Sequence, residues 1–529
     1  MIRIPSLPGV DSLWAYSDCV EVLVMSELNL GDLIEPLSGR RWSALESVRE
    51  VRCRVARLES CGVKPGDRVL LPFGNRLEFF AELLAIWRIG ACAVPVDSRL
   101  TAFEIGNLAR VAKPRLAVVD ETTRPEVSAI MTGINGITVE TTETGSAETD
   151  VSRMSPEADA LILFTSGSTG DPKGVVHTHG SLRARWANLA DHLPLHAFDR
   201  SLCVLPTHFG HGLICNCLFP WLRGKDLHIT PPFRPDLIAR LGAMIDEHQI
   251  TFVSSVPSIW KLVLKLAKPP LGGSLRRIHC GSAPLSATAW EQIRAWSGCR
   301  QVSNTYGITE TGSWVAGSAD ASMPAEDGLI GEGWGAEIKI LKHGDTNQAP
   351  APGDRCSPRE PGYVWLKTPA LMKGYFLRAD LTAAVVRDGW FVTGDIGMMD
   401  ERGRLFLRGR ERDEINKGGM KIYPADIEAV VERFDRVSDV CAFAIEDPVY
   451  GEAAAIAVVL TDRQPDTMRK LLSWMKSHLA DHKLPSRWWT MDEIPRTSRG
   501  KINRDIVREA CQQQPSLDLA SILAGESGK

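Results

Sequence analysis

The stretch that decides the fold is Leu161-Ile-Leu-Phe-Thr-Ser-Gly-Ser-Thr-Gly-Asp-Pro-Lys-Gly-Val-Val-His177. Its apolar start predicts a short buried strand. Six small residues follow the strand and precede Lys173: Thr165, Ser166, Gly167, Ser168, Thr169 and Gly170. Small residues let backbone N–H groups approach an anion closely, and hydroxyls and a lysine stand beside them. The spacing differs from G-x-x-x-x-G-K-[ST], so we predict a phosphate-binding loop of another kind; the alternative is a hairpin linker between strands.

The composition is that of an ordinary globular protein. The chain has 529 residues, of which 44% are hydrophobic and 24% charged, and this length predicts about two to four domains. A net charge of −4 indicates no nucleic-acid partner. The twelve cysteines are scattered without zinc-site spacing, which favours reduced thiols and a cytoplasmic location. No apolar window is long enough to predict a membrane span.

The first part of the chain alternates strand-like and helical patterns. Apolar runs at 68–72, 90–95 and 115–119 predict strands, and 77–88 has the pattern of a buried helix. This alternation predicts an α/β fold with parallel-type sheets and helices on their faces. We therefore expect a large N-terminal domain over residues 1–410.

Two further units are predicted towards the C-terminus. Short strands separated by turns indicate an antiparallel β subdomain over about 328–408. The remaining 411–529 predict a small α+β domain, and the charged break near Arg412 predicts the boundary before it. Several strands of the large domain end in small or polar residues. Their loops are therefore expected to converge on one crevice.

Six stretches, in order between about 65 and 505, resemble the signature motifs of the acyl-adenylate-forming superfamily. They lie at 165–173, 281–284, 304–310, 393–395, 409–410 and 499–501. The superfamily contains acyl- and aryl-CoA synthetases, nonribosomal peptide synthetase adenylation domains and firefly luciferase. The chain is most similar in appearance to acyl/aryl-CoA ligases.

The resemblance implies a nucleotide site. It assigns Thr165 to Gly170 and Lys173 to the ATP phosphates, and Thr309 to the α-phosphate. It assigns Mg²⁺ to Glu310, adenine stacking to Tyr306 and the ribose to Asp395 and Arg410. The remaining residues implied to line the nucleotide site are Gly281, Ser282, Ala283, Asn304, Thr305 and Gly307.

The resemblance also implies that the small domain is mobile, with a hinge near Arg412, and it implies roles for residues of that domain. It assigns formation of the adenylate to Lys501, so the implied catalytic set is Lys501, Lys173, Thr309 and Glu310. It assigns a surface for pantetheine or CoA to Gly418, Gly419 and Lys421. Taken alone, Glu310, Asp395, Arg410 and Lys501 could each be ordinary turn or surface charges.

A candidate acyl pocket follows the strand that ends near Pro206. The expected lining residues are His208, Phe209, His211, Gly212, Ser282, Ser313 and Trp314. The segment 207–213 contains no aspartate to bind an amino group, which favours an unaminated acid over an amino acid. Trp314 is bulky and favours a small aryl or short-to-medium acyl group, although a tryptophan can also be core.

The expected reaction is ATP- and Mg²⁺-dependent activation of a carboxylic acid to an acyl-adenylate, followed by transfer to a thiol. CoA is the preferred acceptor. The alternative is a stand-alone adenylation enzyme that loads a carrier-protein phosphopantetheine or an amine. This alternative includes an amino acid as the substrate. A non-catalytic adenylate-binding scaffold and a luciferase-like oxygenase are the hypotheses from other classes. A monomer or homodimer is expected.

Overall fold

The structure is a computed structural model. It describes residues 29–134, 138–141, 155–165, 173–231, 235–342, 352–417, 420–462, 464, 466–497, 500–518 and 521–522. The α-helices among them are α1 (Ala44–Ser60), α2 (Leu77–Arg88), α3 (Ala102–Ala112), α4 (Pro125–Thr132), α5 (His179–His192), α6 (Phe219–Trp221), α7 (Pro235–Ala239), α8 (Leu241–Glu247), α9 (Pro257–Leu266), α10 (Ala287–Ser297), α11 (Ala379–Val385), α12 (Pro424–Val431), α13 (Thr467–His478) and α14 (Arg504–Gln512).

The strands belong to three sheets. In chain order they are β1 (Leu33–Ile34), β2 (Arg41–Trp42), β3 (Arg68–Leu71), β4 (Cys92–Pro95), β5 (Leu116–Val119), β6 (Thr138–Thr141), β7 (Asp159–Thr165), β8 (Lys173–Thr178), β9 (Arg200–Cys203), β10 (Asp226–Ile229), β11 (Phe252–Ser255), β12 (Arg277–Gly281), β13 (Val302–Ile308), β14 (Ser313–Gly317), β15 (Leu329–Gly333), β16 (Glu337–Leu341), β17 (Gly362–Lys367), β18 (Gly374–Tyr375), β19 (Val386–Arg387), β20 (Trp390–Met399), β21 (Leu405–Arg410), β22 (Ile415–Lys417), β23 (Met420–Ile422), β24 (Val437–Asp447), β25 (Gly451–Leu460), β26 (Arg487–Thr490) and β27 (Leu517–Asp518).

The predicted strand at 161–164 is confirmed as part of β7, inside a seven-stranded sheet of order β18-β8-β7-β4-β3-β5-β6. Strands β3 to β7 run parallel, whereas β7 and β8 pair antiparallel with Thr165 opposite Lys173. Leu161 and Leu163 pack on the side of α2, and Ile162 and Phe164 on the side of α3. Helices cover both faces, which explains why β7 is apolar at every central position.

A fourteen-stranded sheet carries the other site motifs. Its order is β16-β17-β20-β21-β15-β14-β13-β12-β11-β9-β10-β1-β2, with β19 beside β20. The pairs from β10 to β13 are parallel, and the pairs from β13 to β16 are antiparallel. The antiparallel strands from Leu329 to Arg410 thus extend the parallel sheet.

The small C-terminal unit has its own sheet of six strands, in the order β23-β22-β25-β26-β27 with β24 beside β25. Helices α12 and α13 cover one face through Ile427 and Leu471. Helix α14 covers the other face through Val507 and Cys511. The predicted fold class is therefore confirmed: a large α/β part with antiparallel strands, and a smaller α+β part. A short 3₁₀ turn at Glu411–Asp413 connects the two; the mobile hinge there stays a prediction.

Two elements differ from the sequence expectation. The Thr- and Glu-rich stretch 121–157 carries no core signature in its sequence, yet α4 lies in it and buries Val127 and Met131. Only two buried residues in one short helix give too weak a periodicity to detect. The second element is a π-helix over His211–Leu218, in which every residue is buried. An apolar run without a polar face carries no signal that separates π-helix from α-helix.

Among the described helices, none combines the length and apolar character that crossing a bilayer requires.

The hairpin of β13 and β14 is the junction of the parallel and antiparallel halves, and Gly307 lies where its strands approach most closely. A Cβ atom there would lie 2.0 Å from the Ser313 carbonyl oxygen. We predict that Gly307→Ala destabilises the large domain by about 1–3 kcal/mol, because the register must shift to relieve the overlap. Denaturant unfolding followed by tryptophan fluorescence measures this change.

Gly133→Ala is the matched control. Gly133 has right-handed helical backbone angles, and an added Cβ would meet its nearest atoms at ordinary van der Waals separations of 3.5 and 3.6 Å. We expect its effect to stay within about 0.5 kcal/mol. Equal destabilisation by the two substitutions would contradict the close-approach argument.

Candidate active site

Strand ends of the two large sheets bring the predicted residues into three groups. The first is the Glu310 cluster, formed by Lys173, Glu310 and Tyr375. The Tyr375 hydroxyl donates to Glu310 Oε1 at 2.7 Å, and Lys173 Nζ lies 5.8 Å from the centroid of the Tyr375 ring. Burial, followed by the charge of Glu310, raises the pKa of Tyr375, so it stays a hydrogen-bond donor. The cluster therefore presents one carboxylate and one ammonium group beside each other.

Strand pairing explains why this cluster forms. Tyr375 lies opposite Val175 in the β18–β8 pair, which places it beside the start of β8 at Lys173. The backbone of Glu310 is held as well, because its carbonyl accepts from the Met372 amide at 2.7 Å. Glu310 is thus fixed at both its main chain and its side chain.

Two buried side chains hold the turn that carries Glu310. Burial lowers the pKa of His177 to about 4, so its ring is neutral, and Nε2 lies 2.7 Å from the Thr309 carbonyl oxygen. Arg185 donates from Nε and Nη2 to the Thr311 carbonyl at 3.1 and 3.0 Å. Burial lowers the pKa of Arg185 to about 10, which leaves it charged at neutral pH. Hydrogen bonds to two of its carbonyl groups therefore fix the backbone of the turn from Thr309 to Thr311.

The second group is the Asp395 cluster, formed by Tyr306, Asp395 and Arg410. The Tyr306 hydroxyl donates to Asp395 Oδ2, and Arg410 Nε lies 2.9 Å from Asp395 Oδ1. Asp395 and Arg410 are register partners on β20 and β21. The Asp395 carboxylate raises the pKa of Arg410. This places a nearly buried carboxylate and a cation at the edge of the crevice.

The third group is the His211 cluster, formed by Phe209, His211, Ser282 and Trp314. His211 lies at the first turn of the π-helix, with Nδ1 2.9 Å from Ser282 Oγ and Nε2 2.6 Å from Ser254 Oγ. Burial and, to a smaller extent, the charge of Lys501 together lower the pKa of His211 to about 3, so the ring is neutral. A neutral imidazole donates through one nitrogen and accepts through the other.

Aromatic rings close the inner side of the His211 cluster. Trp314 is 1% exposed, and its ring centroid lies 5.4 Å from that of His211 and 4.4 Å from that of His279. Phe252 packs against both Trp314 and His279. Indole and imidazole rings therefore fill the interior beside His211.

Lys501 reaches this cluster from the C-terminal part of the chain. Its Nζ lies 5.7 Å from the centroid of the Phe209 ring, within the range of a cation–π contact. The hairpin that carries it is closed by a hydrogen bond from the Thr497 amide to the Lys501 carbonyl at 2.8 Å. A lysine from one domain thus stands beside the neutral His211–Ser282 pair of the other.

Ser282 and Ser313 share an unusual backbone conformation. Their φ angles are 68° and 73°, a region in which L side chains are strained. Ser282 belongs to the His211 cluster, and Ser313 directly precedes Trp314 of the same cluster. Gly281 directly precedes Ser282. A Cβ atom at Gly281 would lie 2.3 Å from the Thr305 carbonyl oxygen. The neighbouring strand therefore requires glycine at this position.

Other predicted residues lie outside these three groups. Asn304 and Thr305 are buried in β13, where their side chains donate to the Leu329 and Cys280 carbonyls. His208 Nε2 lies 3.3 Å from Asp97 Oδ2. The sequence alone does not indicate this contact. The residues that lie beyond the described part of the chain are Ser166, Gly167, Ser168, Thr169, Gly170, Gly418, Gly419 and, for its side chain, Lys421.

Several functional neighbours were missed by the sequence analysis. Tyr375, Ser254 and Asp97 contact predicted residues, and Arg185 contacts Thr311, which directly follows Glu310. The Gly374-Tyr375 pair follows a short apolar run and had no assigned partner strand, so its pairing with β8 was not foreseen. Arg185 lies in a helix whose other residues suggested only core packing. Ser254 is a small residue within a buried strand.

Comparison with protein families gives two matches. Residues 33–376 match the AMP-binding enzyme family, and residues 426–501 match the AMP-binding enzyme C-terminal domain. A 2-succinylbenzoate–CoA ligase from Geobacillus kaustophilus is 30% identical over 476 residues, covering 88% of this chain and 92% of that protein. An oxalate–CoA ligase from Arabidopsis thaliana is 30% identical over 486 residues, covering 87% and 91%.

Solved structures agree. ATP-bound MatB from Rhodopseudomonas palustris is 26% identical with a TM-score of 0.80, covering 92% of this chain and 96% of that one. An anthranilate CoA ligase in complex with anthranoyl-AMP shares the fold, with a TM-score of 0.82 at 21% identity, covering 94% and 96%. With the first match spanning more than half of the sequence, the chain belongs to the AMP-binding enzyme family and is an acid–thiol ligase.

Proposed function

We propose that the protein activates a small carboxylic acid without an amino group to an acyl-adenylate, releases pyrophosphate from ATP, and transfers the acyl group to CoA. The observation that carries this proposal is the position of Lys501. Its ammonium group stands beside Phe209 and the His211–Ser282 pair. Glu310 and Asp395 lie in two further clusters, on β13–β14 and β20 of the same fourteen-stranded sheet.

The nucleotide is proposed to lie across the Glu310 and Asp395 clusters. Lys173 offers a point charge to the phosphates. The Asp395 carboxylate can accept hydrogen bonds from ribose hydroxyls. Tyr306 and Arg410 hold its two oxygens in a fixed position. Tyr306 is 7% exposed and is anchored by its hydroxyl, which supports a fixed aromatic wall for the adenine. MatB, whose crystal structure contains ATP, supports the same assignment.

The residues present fit Mg²⁺ held together with phosphates. Among the described residues no group of three or more histidine, cysteine, aspartate or glutamate side chains could hold a metal by itself. Mg²⁺ is usually bound through one or two carboxylates plus substrate phosphates. Glu310, fixed by Tyr375 through Oε1, is the carboxylate we assign to it. When bound, Mg²⁺ would neutralise charge on the phosphates.

The chemistry assigned to this chain is mainly positioning and charge stabilisation. A substrate carboxylate oxygen bonds to the α-phosphorus as the bond to pyrophosphate breaks. Lys501 is placed to stabilise the negative charge that develops between the two reactants. In the second step the CoA sulfur, after losing its proton, bonds to the acyl carbon and AMP leaves.

The substrate assignment rests on the His211 cluster. The Thr207–Leu213 segment contains no aspartate, and the ring of His211 is neutral, so the cluster offers no anion for an ammonium group. Trp314 and His279 fill the inner space, which supports a short or small aryl acid. Relatives named for succinylbenzoate, oxalate and ferulate are consistent with an unaminated acid. CoA as acceptor rests on the same relatives; the alternative is loading of a carrier protein.

A panel of carboxylic acids tests the proposal. With ATP and Mg²⁺, we expect pyrophosphate release with small unaminated acids, and acyl-CoA detected by mass spectrometry when CoA is added. Lys501→Ala should lower the rate of pyrophosphate release by at least about 100-fold, because the charge at the reacting phosphate is lost. Turnover only with amino acids, or pyrophosphate release by Lys501→Ala at the wild-type rate, would contradict the assignment.

Trp314 is predicted to limit substrate size. Trp314→Phe should raise kcat/KM for longer or bulkier acids relative to short acids by about 10-fold, because it opens space behind His211. Ratios of kcat/KM across the acid panel measure this change. Trp290→Phe is the control, since Trp290 is also fully buried but lies in α10 and packs in a different hydrophobic cluster, on the other side of the sheet. A similar change of preference in both variants would argue against the size limit.

Tyr375 is predicted to tune Mg²⁺ dependence. Tyr375→Phe removes the hydrogen bond to Glu310 and should raise the Mg²⁺ concentration for half-maximal pyrophosphate release by about 10-fold. Titration of Mg²⁺ at saturating ATP measures the shift. Tyr450→Phe is the control, because the Tyr450 side chain is exposed in the six-stranded-sheet domain. An unchanged Mg²⁺ requirement in Tyr375→Phe would contradict the assignment of Mg²⁺ to Glu310.

A further inference from the structure

A row of charges links the large domain to the hairpin that carries Lys501. We call Lys261, Asp439 and Arg496 the Lys261 relay. Lys261 Nζ, on α9 of the large domain, lies 3.0 Å from Asp439 Oδ1 on β24 of the small domain. Asp439 Oδ2 lies 2.6 Å from Arg496 Nη2. One carboxylate thus bridges two cations that belong to different domains.

Arg496 is the first residue of the Lys501 hairpin. It pairs with Ile502 across the hairpin in an isolated antiparallel bridge. The Lys501 amide donates to Thr497 Oγ1 at 3.2 Å, and the Gly500 amide donates to the Thr497 carbonyl at 2.8 Å. The base of the hairpin is therefore fixed by the relay, and Lys501 stands at its end.

The relay is partly shielded from water. The side chains of Lys261, Asp439 and Arg496 are 32%, 18% and 24% exposed. Burial lowers the pKa of Lys261, but attraction to Glu432 and Asp439 outweighs it and the net pKa is raised. Lys261 also contacts Glu432 at 2.7 Å, so it holds two carboxylates of the small domain. Such a pair is held more firmly than an exposed one.

The two domains are also joined elsewhere. Arg433 pairs with Asp327, and Arg408 pairs with Asp426 at 3.0 Å. Neither pair contacts the Lys501 hairpin directly. Loss of Lys261 alone would therefore leave other links between the domains but would release the hairpin base from α9.

We propose that Lys261 is a positioning residue that, through Asp439 and Arg496, holds Lys501 at the His211 cluster for the adenylate-forming step. This inference rests on the proposed function of Lys501. Lys261 lies outside the three clusters and acts only through the relay. The second step, in which CoA attacks a preformed acyl-adenylate, has no need of Lys501 at this place and should not depend on Lys261.

The test measures the two half-reactions separately. Lys261→Met removes the charge and keeps an unbranched side chain that is shorter by one atom. We expect pyrophosphate release to fall by roughly 10- to 100-fold, because small misplacement of a catalytic group is costly. Transfer from synthetic acyl-adenylate to CoA should stay within twofold of wild type. Lys261→Arg, which keeps the charge, should restore most of the first rate.

Lys265→Met is the matched control. Lys265 lies one turn further along α9 and is exposed, and it makes no ion pair with the small domain within the described ranges. It should leave both half-reactions unchanged. Equal loss of both half-reactions in Lys261→Met, or no loss in either, would overturn the proposal. Thermal unfolding checks that the variants are folded.

A measurement without substrate separates this inference from the proposed function. Amide hydrogen exchange of the hairpin 496–502 should be faster in Lys261→Met than in wild type or Lys265→Met. If the wild-type protein released no pyrophosphate with any acid, the proposed function would fail while faster exchange would still support the relay. Unchanged exchange in Lys261→Met would overturn the relay whatever the activity.

Discussion

The hairpin of β13 and β14 is the constraint on which the rest of the structure depends. It reverses the chain at the end of a parallel sheet and continues the same sheet with antiparallel strands. The turn at its tip carries Glu310, and the strand that follows carries Trp314. One short connection thereby sets the positions of both the Glu310 cluster and the His211 cluster. The two strands approach closely enough that Gly307 has no room for a side chain.

The second feature that organises the site is a set of buried histidines whose rings are neutral. His177, His211 and His279 are buried, and burial lowers the pKa of each, so each ring is neutral at physiological pH. The formal charges are held instead by few side chains at the edges of the crevice. Because these buried rings are neutral, they add no positive charge beside the cations of the site, and Arg410 is balanced by Asp395.

Sequence reasoning predicted much of the fold because strand and helix signals were local. Leu77–Arg88 was found to the residue, since its apolar residues and helix-forming composition agree. The π-helix from His211 was not found, because a fully buried apolar run has no distinctive period. The length of α4 and its two buried residues also gave too little signal. Pairing between distant strands, such as β18 with β8, cannot be deduced from either strand alone.

The candidate site was predicted in part. Glu310, Asp395 and Lys501 were assigned through the resemblance of their motifs to those of acyl-adenylate-forming enzymes, since each taken alone could be an ordinary turn or surface charge. Their partners were not foreseen, because a hydroxyl such as that of Tyr375 or Ser254 has many structural uses. Arg185 presents the same difficulty, since nothing in its helix shows that its guanidinium reaches backbone carbonyls of another element. The size of the acyl pocket depends on packing around Trp314, which only coordinates reveal.

The Asp395–Arg410 pair has a consequence for how the two parts of the chain communicate. Arg410 is the last residue of β21, and the chain enters the small domain directly after it. A ligand that takes a hydrogen-bonding position on Asp395 competes with, or adds to, the contact that fixes this strand end. Affinity at Asp395 and the orientation of the following residues are then thermodynamically linked. By reciprocity, if a ligand at Asp395 shifts the equilibrium between two orientations of the small domain, its affinity differs between those orientations by the same factor.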